Sequence, residues 1–213
     1  FGTSMHEVIQ AFLTVMYEDT AKAAEALPLE EMLRTRMKRN FEDILKNNGG
    51  EMFCTEKDMV EFYMHGVEIL KFIRKKRAQY FSKKGYELIG IEVPLEYDLP
   101  NNIKFIGYID VVIKDTVRDV IKIYDIKTST MGWNKWMKAD KNKTDQLLLY
   151  KQFYSKQFNH PMDRIEVEYF IVKRKLYENL DFPQKRVQKF APANGKPSIN
   201  QVVKRLDEFM TES

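Results

Sequence analysis

The stretch that most constrains this chain is FIGYIDVVIKDTVRDVIKIYDIKTST, which runs from Phe105 to Thr130. Two apolar runs inside it, Phe105–Ile113 and Val120–Ile126, are dense in Ile, Val, Tyr and Phe, the composition of β-strands. The polar KDTVRD between them reads as a turn, so the pair predicts a β-hairpin. A hairpin symmetric about Val117 and Arg118 sets Asp110 directly opposite Asp125. Two carboxylates facing each other destabilise a sheet unless a cation lies between them. Lys127 is two residues beyond Asp125, hence on the same face of the strand and roughly 7 Å along it. Two acids and a lysine therefore converge at the end of otherwise apolar strands, which points to a divalent-metal site with an adjacent cation.

The rest of the composition describes the host for that hairpin. With 213 residues, 44% apolar and 31% charged, the expectation is a single α/β domain over residues 1–213. A helical part at about 4–82 precedes a sheet with helices at about 86–211. The net charge of +4 permits an anionic partner without demanding one. The lone thiol, Cys54, excludes an internal disulfide and any zinc or iron–sulfur cluster held by cysteines of this chain. There is no run of roughly 18 apolar residues and no signal-peptide pattern at the start, so the expected location is cytoplasmic. The chain opens on Phe1 rather than Met, which suggests a processed or excised piece of something longer.

Along the chain, Ser4 and Glu7 have capping-box spacing, predicting a helix over about 5–19 with His6 in its first turn. There the positive helix end disfavours an imidazolium and leaves the neutral, metal-binding form. A helical region follows at about 21–46, broken at Pro28 and stopped by Asn47–Gly50. Thr55 and Asp58 start another helix, reaching about Tyr80. Its basic end, Lys71–Arg77, is either a solvated helix terminus or a phosphate contact through Lys75, Lys76 and Arg77. Tyr86–Leu95 alternates as a half-buried strand, with Glu92 either exposed or turned toward Asp110 as an accessory acid. After Lys127, a polar segment interleaves Trp133 and Trp136 with Lys135, Lys138, Lys141 and Lys143. Such aromatics either stack bases, with the lysines on phosphates, or anchor the segment to the body. Thr144 caps an expected helix over about 145–158, with Gln146, Tyr150, Phe153 and Gln157 on one stripe. Asp163–Lys175 reads as a strand, Glu178–Pro197 as loop, and Ser198 as the start of a terminal helix.

The order Gly2…His6, Gly107-Tyr-Ile-Asp110, Asp125-Ile-Lys127 and Gln146-x-x-x-Tyr150 resembles the PD-(D/E)XK nucleases, and within them the RecB-like branch. The resemblance implies a restriction-endonuclease-like core, a mixed central sheet flanked by helices, with an N-terminal helical region. It implies a Mg²⁺- or Mn²⁺-dependent DNA nuclease, with DNA ends as substrate and a helicase or recombination protein as a possible partner. Asp110, Asp125, the Ile126 carbonyl and His6 would hold the metal. Lys127 would act on the attacking water or the phosphoryl charge, and Gln146 and Tyr150 would support it or contact the backbone. Ile109 replaces the proline of the family name, and the iron–sulfur cysteines of many RecB-like members are absent from this chain. The readings set beside an exonuclease are a nuclease domain of a larger helicase–nuclease and a DNA-binding module that does not cut.

Overall fold

A computed structural model describes residues 1–212. The chain divides into two compact units. The first comprises Phe1–Lys84, Ile126–Gly132 and Ile171–Gln188; the second comprises Gly85–Asp125, Trp133–Phe170 and the chain from Lys189 onward.

The first unit is mainly helical, with α1 (Gly2–Glu18), α2 (Ala21–Glu25), α3 (Leu29–Asn47) and α4 (Glu56–Tyr80). Met5, Ile9, Phe12 and Met16 are all buried, so the helical spacing read from the sequence is the core stripe of α1. The capping box at Ser4 and Glu7 does not form. The helix starts earlier, with Phe1 at its N-cap and no side-chain cap. Ser4 is buried instead, and its hydroxyl accepts from Asn40 Nδ2 at 3.0 Å on α3, while Glu7 pairs with Arg36 and Arg39. An early start also moves His6 beyond the first turn, where the helix dipole acts more weakly. The box at Thr55 and Asp58 does form and caps α4. Pro28 separates α2 from α3, and Gly49 and Gly50, both at positive φ, follow the end of α3. α1, α3 and α4 meet at Gly66, where a Cβ would lie 2.5 Å from Leu33 Cδ2 and 3.1 Å from Met5 Sδ. Only glycine lets α4 come that close.

Five strands, β1 (Tyr86–Asp98), β2 (Lys104–Asp115), β3 (Val120–Ser129), β4 (Ile165–Lys173) and β5 (Val187–Phe190), form a mixed sheet in sequence order. β1–β2 and β2–β3 are antiparallel. Beyond β3 and β4, Arg174 N–H bonds Ser129 O at 2.9 Å and Lys175 N–H bonds Thr130 O at 2.8 Å, two steps that advance in the same direction along both segments. The restriction-endonuclease-like α/β class expected from the sequence is the class observed. β5 lies inside the segment expected to be loop. It is four residues long, too short to display an alternation that reads as strand.

In the second unit, α5 (Lys135–Ala139) and α6 (Lys141–Gln157) occupy the polar segment after β3, and α7 (Lys196–Glu212) ends the chain. α6 begins before Thr144, which is buried within it; Asp140 is the cap, its carboxylate accepting from Asn142 N–H at 3.0 Å. α7 likewise starts ahead of Ser198, with Pro197 in its first turn, where the missing N–H costs nothing. α7 packs on α6 through Ile199 and Val202 against Leu148, and Arg205 forms a two-pronged ion pair with Asp145 at 2.7 and 2.8 Å.

Candidate active site

The geometry of the site starts at the turn between β2 and β3. Asp115 accepts from the N–H groups of Val117 (3.1 Å) and Arg118 (3.0 Å) and from Arg118 Nε (2.8 Å). Arg118 reaches on to Glu166 of β4 at 2.9 Å. These donors hold the Asp115 carboxyl below its ordinary value. The turn thereby fixes a register in which Asp115 faces Val120 and Val111 faces Tyr124, symmetric about Val117 and Arg118 as the sequence predicts. The pairing runs as far as Val111 and Tyr124, and the same register carried on by one residue would bring Asp110 against Asp125. On the other side of β2, Ile91 faces Val111 and Val93 faces Ile109, so the residue opposite Asp110 is Glu92. Three acids thus share one row across β1, β2 and β3. Asp125 is buried, Asp110 half-buried and Glu92 exposed.

Glu92 is also a backbone outlier, with φ of +47° inside a strand. A side-chain-bearing residue rarely adopts this left-handed region, and such strain clusters where function holds a residue in place. A register shift between Leu88 and Gly90 lies just ahead of it. Sequence reasoning placed an acid there but carried no signal for the strain.

α6 lies across these strands. Its Tyr150 ring rests against Gly107, where a Cβ would stand 2.7 Å from Cε1 and 3.3 Å from both Cζ and the hydroxyl. Phe153 packs on Phe105 with ring centroids 4.3 Å apart and on Tyr97 at 5.2 Å. Gln157 donates to Pro94 O at 3.2 Å and accepts from Glu96 N–H at 2.8 Å. The stripe expected from the sequence is therefore the face laid on β1 and β2. At its other end the Tyr169 hydroxyl of β4 donates to Lys143 O at 2.6 Å. Between Lys143 on the β4 side and Tyr150 on the β2 side, α6 spans the place of β3 in the sheet order. Gln146 lies in that span and is exposed.

The electrostatics agree with this layout. Burial pushes the Tyr150 hydroxyl up, Asp125, Asp110 and Glu92 push it further, and a backbone hydrogen bond at Tyr108 opposes them. Tyr169 is likewise raised by burial and then by Asp125. Both phenols stay protonated; the Tyr169 proton is committed to Lys143 O, while Tyr150 can donate toward anionic oxygen. Tyr169 was not singled out in the sequence, where nothing distinguishes it from an ordinary alternating core tyrosine.

In the first unit, Ile126 is buried and Lys127 half-buried on the continuation of β3. A Cβ at Gly2 would meet Thr128 Oγ1 at 3.2 Å, so the start of α1 touches the residue after Lys127. Gly2 and His6 are i, i+4 and share that helix face. His6 is half-buried.

The remaining candidates separate. Trp133 is 7% exposed, with its ring 4.8 Å from Tyr169, so it is an anchor and has no free face for a base. Trp136 is 73% exposed, with Lys135 over its ring at 4.8 Å, and Lys138 lies over Phe190 at 5.4 Å. Arg77 is committed to Glu25 at 2.9 Å. Lys75 is exposed, and Lys76 sits at a break in α4 with non-helical φ and ψ.

Among the described residues, no group of three or more His, Cys, Asp or Glu side chains is arranged to hold an ion. The facing pair Asp110 and Asp125 nevertheless fits a hard cation. Mg²⁺ keeps much of its water and is commonly held by one or two carboxylates together with substrate phosphates. A search of curated proteins returns no match. The family model of the PD-(D/E)XK nuclease superfamily matches residues 1–212, a span that contains the two acids, the lysine and the Gln/Tyr helix, and the chain belongs to that superfamily.

Proposed function

We propose that the chain acts as one nuclease domain of the RecB-like branch, a Mg²⁺- or Mn²⁺-dependent deoxyribonuclease that digests DNA from its ends during recombination, repair or phage DNA processing. The observation that carries this reading is the β2–β3 register, paired up to Val111 and Tyr124, which continued by one residue brings Asp110 against Asp125, with both acids acting electrostatically on Tyr150. Asp110, Asp125 and the Ile126 carbonyl hold the ion in this reading, and the resemblance adds His6 as a nitrogen donor, which favours Mn²⁺. When bound, the ion polarises the scissile phosphate and acidifies water. Lys127, two residues along β3 from Asp125, orients the attacking water and offsets the charge that grows on the phosphoryl oxygens. Tyr150, protonated and fixed by its seat on Gly107, donates a hydrogen bond toward the same region. Gln146, one turn earlier on α6, contributes a neutral donor.

Cleavage of end-labelled linear and circular DNA with Mg²⁺, Mn²⁺ or EDTA tests the reading. Metal-dependent loss of linear but not circular substrate is expected, with Asp125→Ala folded but inactive. A salt-sensitive gel shift with no cleavage in any metal would overturn it in favour of a binding module.

A further inference from the structure

On a strand with one solvent face, residues on that face are ordinarily polar. β2 departs from this beside Asp110. Lys104, Ile106, Tyr108 and Asp110 alternate onto one face, and Ile106 is 61% exposed and Tyr108 57% exposed. Opposite Tyr108 on β1 lies Pro94, also exposed, and opposite Ile106 lies Glu96. Lys104 pairs with Glu96 and lies 3.7 Å from Asp98, so the acids at the far end of this strip are neutralised. What remains is an open strip of Tyr108, Pro94 and Ile106 leading directly away from Asp110.

We infer that this strip is a stacking platform for the unpaired bases of a single-stranded end, with Tyr108 holding the base next to the phosphate at Asp110. The inference rests on the nuclease reading of Asp110 and adds the form of nucleic acid that the site takes. Adjacent same-face positions on a strand are about 7 Å apart, comparable to one nucleotide of an extended single strand. An aromatic ring beside a phosphate site accepts any base, because every base has a π-face. Inside a duplex both faces of every pair are covered by its neighbours, so along its length only an unpaired base presents a face to Tyr108. The platform is also rigid at its base: the hydrogen bond to Tyr150 involves the Tyr108 main chain and leaves the ring free to project.

The test is fluorescence anisotropy with labelled oligothymidine and with a blunt duplex of equal length, in EDTA, so that nothing is cut. Tyr108→Ala is expected to weaken oligothymidine binding about tenfold, equivalent to ~1.4 kcal/mol and within the range for one lost stack. Duplex binding stays unchanged, and Tyr108→Phe restores the wild-type affinity. Tyr108→Trp supplies a second readout, since the fluorescence of the introduced indole is quenched when a base stacks on it. Equal losses for both nucleic acids, no loss for either, or a Tyr108→Trp variant whose emission oligothymidine leaves unquenched overturns the inference. So does a self-association of wild type that Tyr108→Ala abolishes without changing oligothymidine affinity, which would make the strip a contact between copies. The two readings fail separately. A wild type that binds oligothymidine through Tyr108 but cuts nothing in Mg²⁺ or Mn²⁺ sinks the nuclease reading alone.

Discussion

Gly107→Ala is the sharpest probe of how the site is assembled. Gly107 lies outside the left-handed region, so alanine meets no backbone strain there. Alanine should even gain about 0.5–1 kcal/mol over glycine through reduced chain freedom. Its methyl, however, falls 2.7 Å from Tyr150 Cε1, closer than side-chain carbons approach one another. Tyr150 is buried, so its ring can yield only by displacing α6 from β2 or by leaving its rotamer. Overpacking of this kind costs about 1–3 kcal/mol, leaving a net loss of about 1–2 kcal/mol. Tyr150→Ala alone empties the seat and costs about 3–5 kcal/mol. The double variant has room for the methyl, so it should be more stable than the sum of the two by the relieved overpacking, about 1–3 kcal/mol. Thermal unfolding of the four proteins closes the cycle. A misplacement near 1 Å can lower turnover about a hundredfold, so Gly107→Ala should also lose cleavage while keeping its metal affinity by calorimetry. Strict additivity of the two changes would refute the claim that Gly107 exists to seat Tyr150.

Three further outcomes are expected. Lys127→Ala retains metal binding by calorimetry but loses about 10²–10³ in turnover, as removal of one charge-stabilising donor does elsewhere; lost Mn²⁺ affinity instead would move Lys127 out of that role. Asp115 has a folded pKa below its ordinary 3.8, so its contribution is present above that value and fades as pH falls through the lower folded one. Asp115→Asn should therefore melt below wild type at neutral pH, and the two should converge in acid; a gap that persists at pH 2 would mean the turn does not depend on this charge. Glu92→Gly relieves about 1–2 kcal/mol of left-handed strain against about 0.5–1 for glycine's freedom, a net gain near 0.5–1 kcal/mol. If the carboxylate serves the site, the same variant loses cleavage, whereas a stabilised and fully active Glu92→Gly would leave Glu92 with no part in the reaction.

The parts of this site legible in the sequence are those that a periodicity or a turn determines locally. KDTVRD fixes its own centre because Asp115 caps it, so the register of β2 on β3 about Val117 and Arg118 could be counted out without a structure. Of the expected α6 stripe, Tyr150, Phe153 and Gln157 were equally countable, because a helix repeats every 3.6 residues whatever it packs against, whereas Gln146 is exposed. What could not be counted depends on a neighbour remote in sequence. Trp133 reads the same whether it stacks a base or is buried on Tyr169, and only the position of β4 decides. Ser4 has the spacing of a cap, yet Asn40 on α3 takes its hydroxyl. Glu92 looks like any exposed strand acid until its φ is known.

The acids of the site must be held together against their own repulsion. Facing carboxylates push β2 and β3 apart in the absence of a cation. Two restraints oppose that push. The Asp115–Arg118–Glu166 chain of hydrogen bonds ties the turn of the β2–β3 hairpin to β4. Three residues along β2 from Asp110, Tyr150 presses on the strand through Gly107, while Tyr169 ties β4 to the start of α6. Removing either restraint should make the site more dependent on added metal for its stability. The melting shift produced by Mn²⁺ is therefore expected to be larger in Asp115→Asn and in Tyr150→Ala than in wild type. An equal shift in all three would mean that the acid pair exerts no strain on the hairpin that carries it.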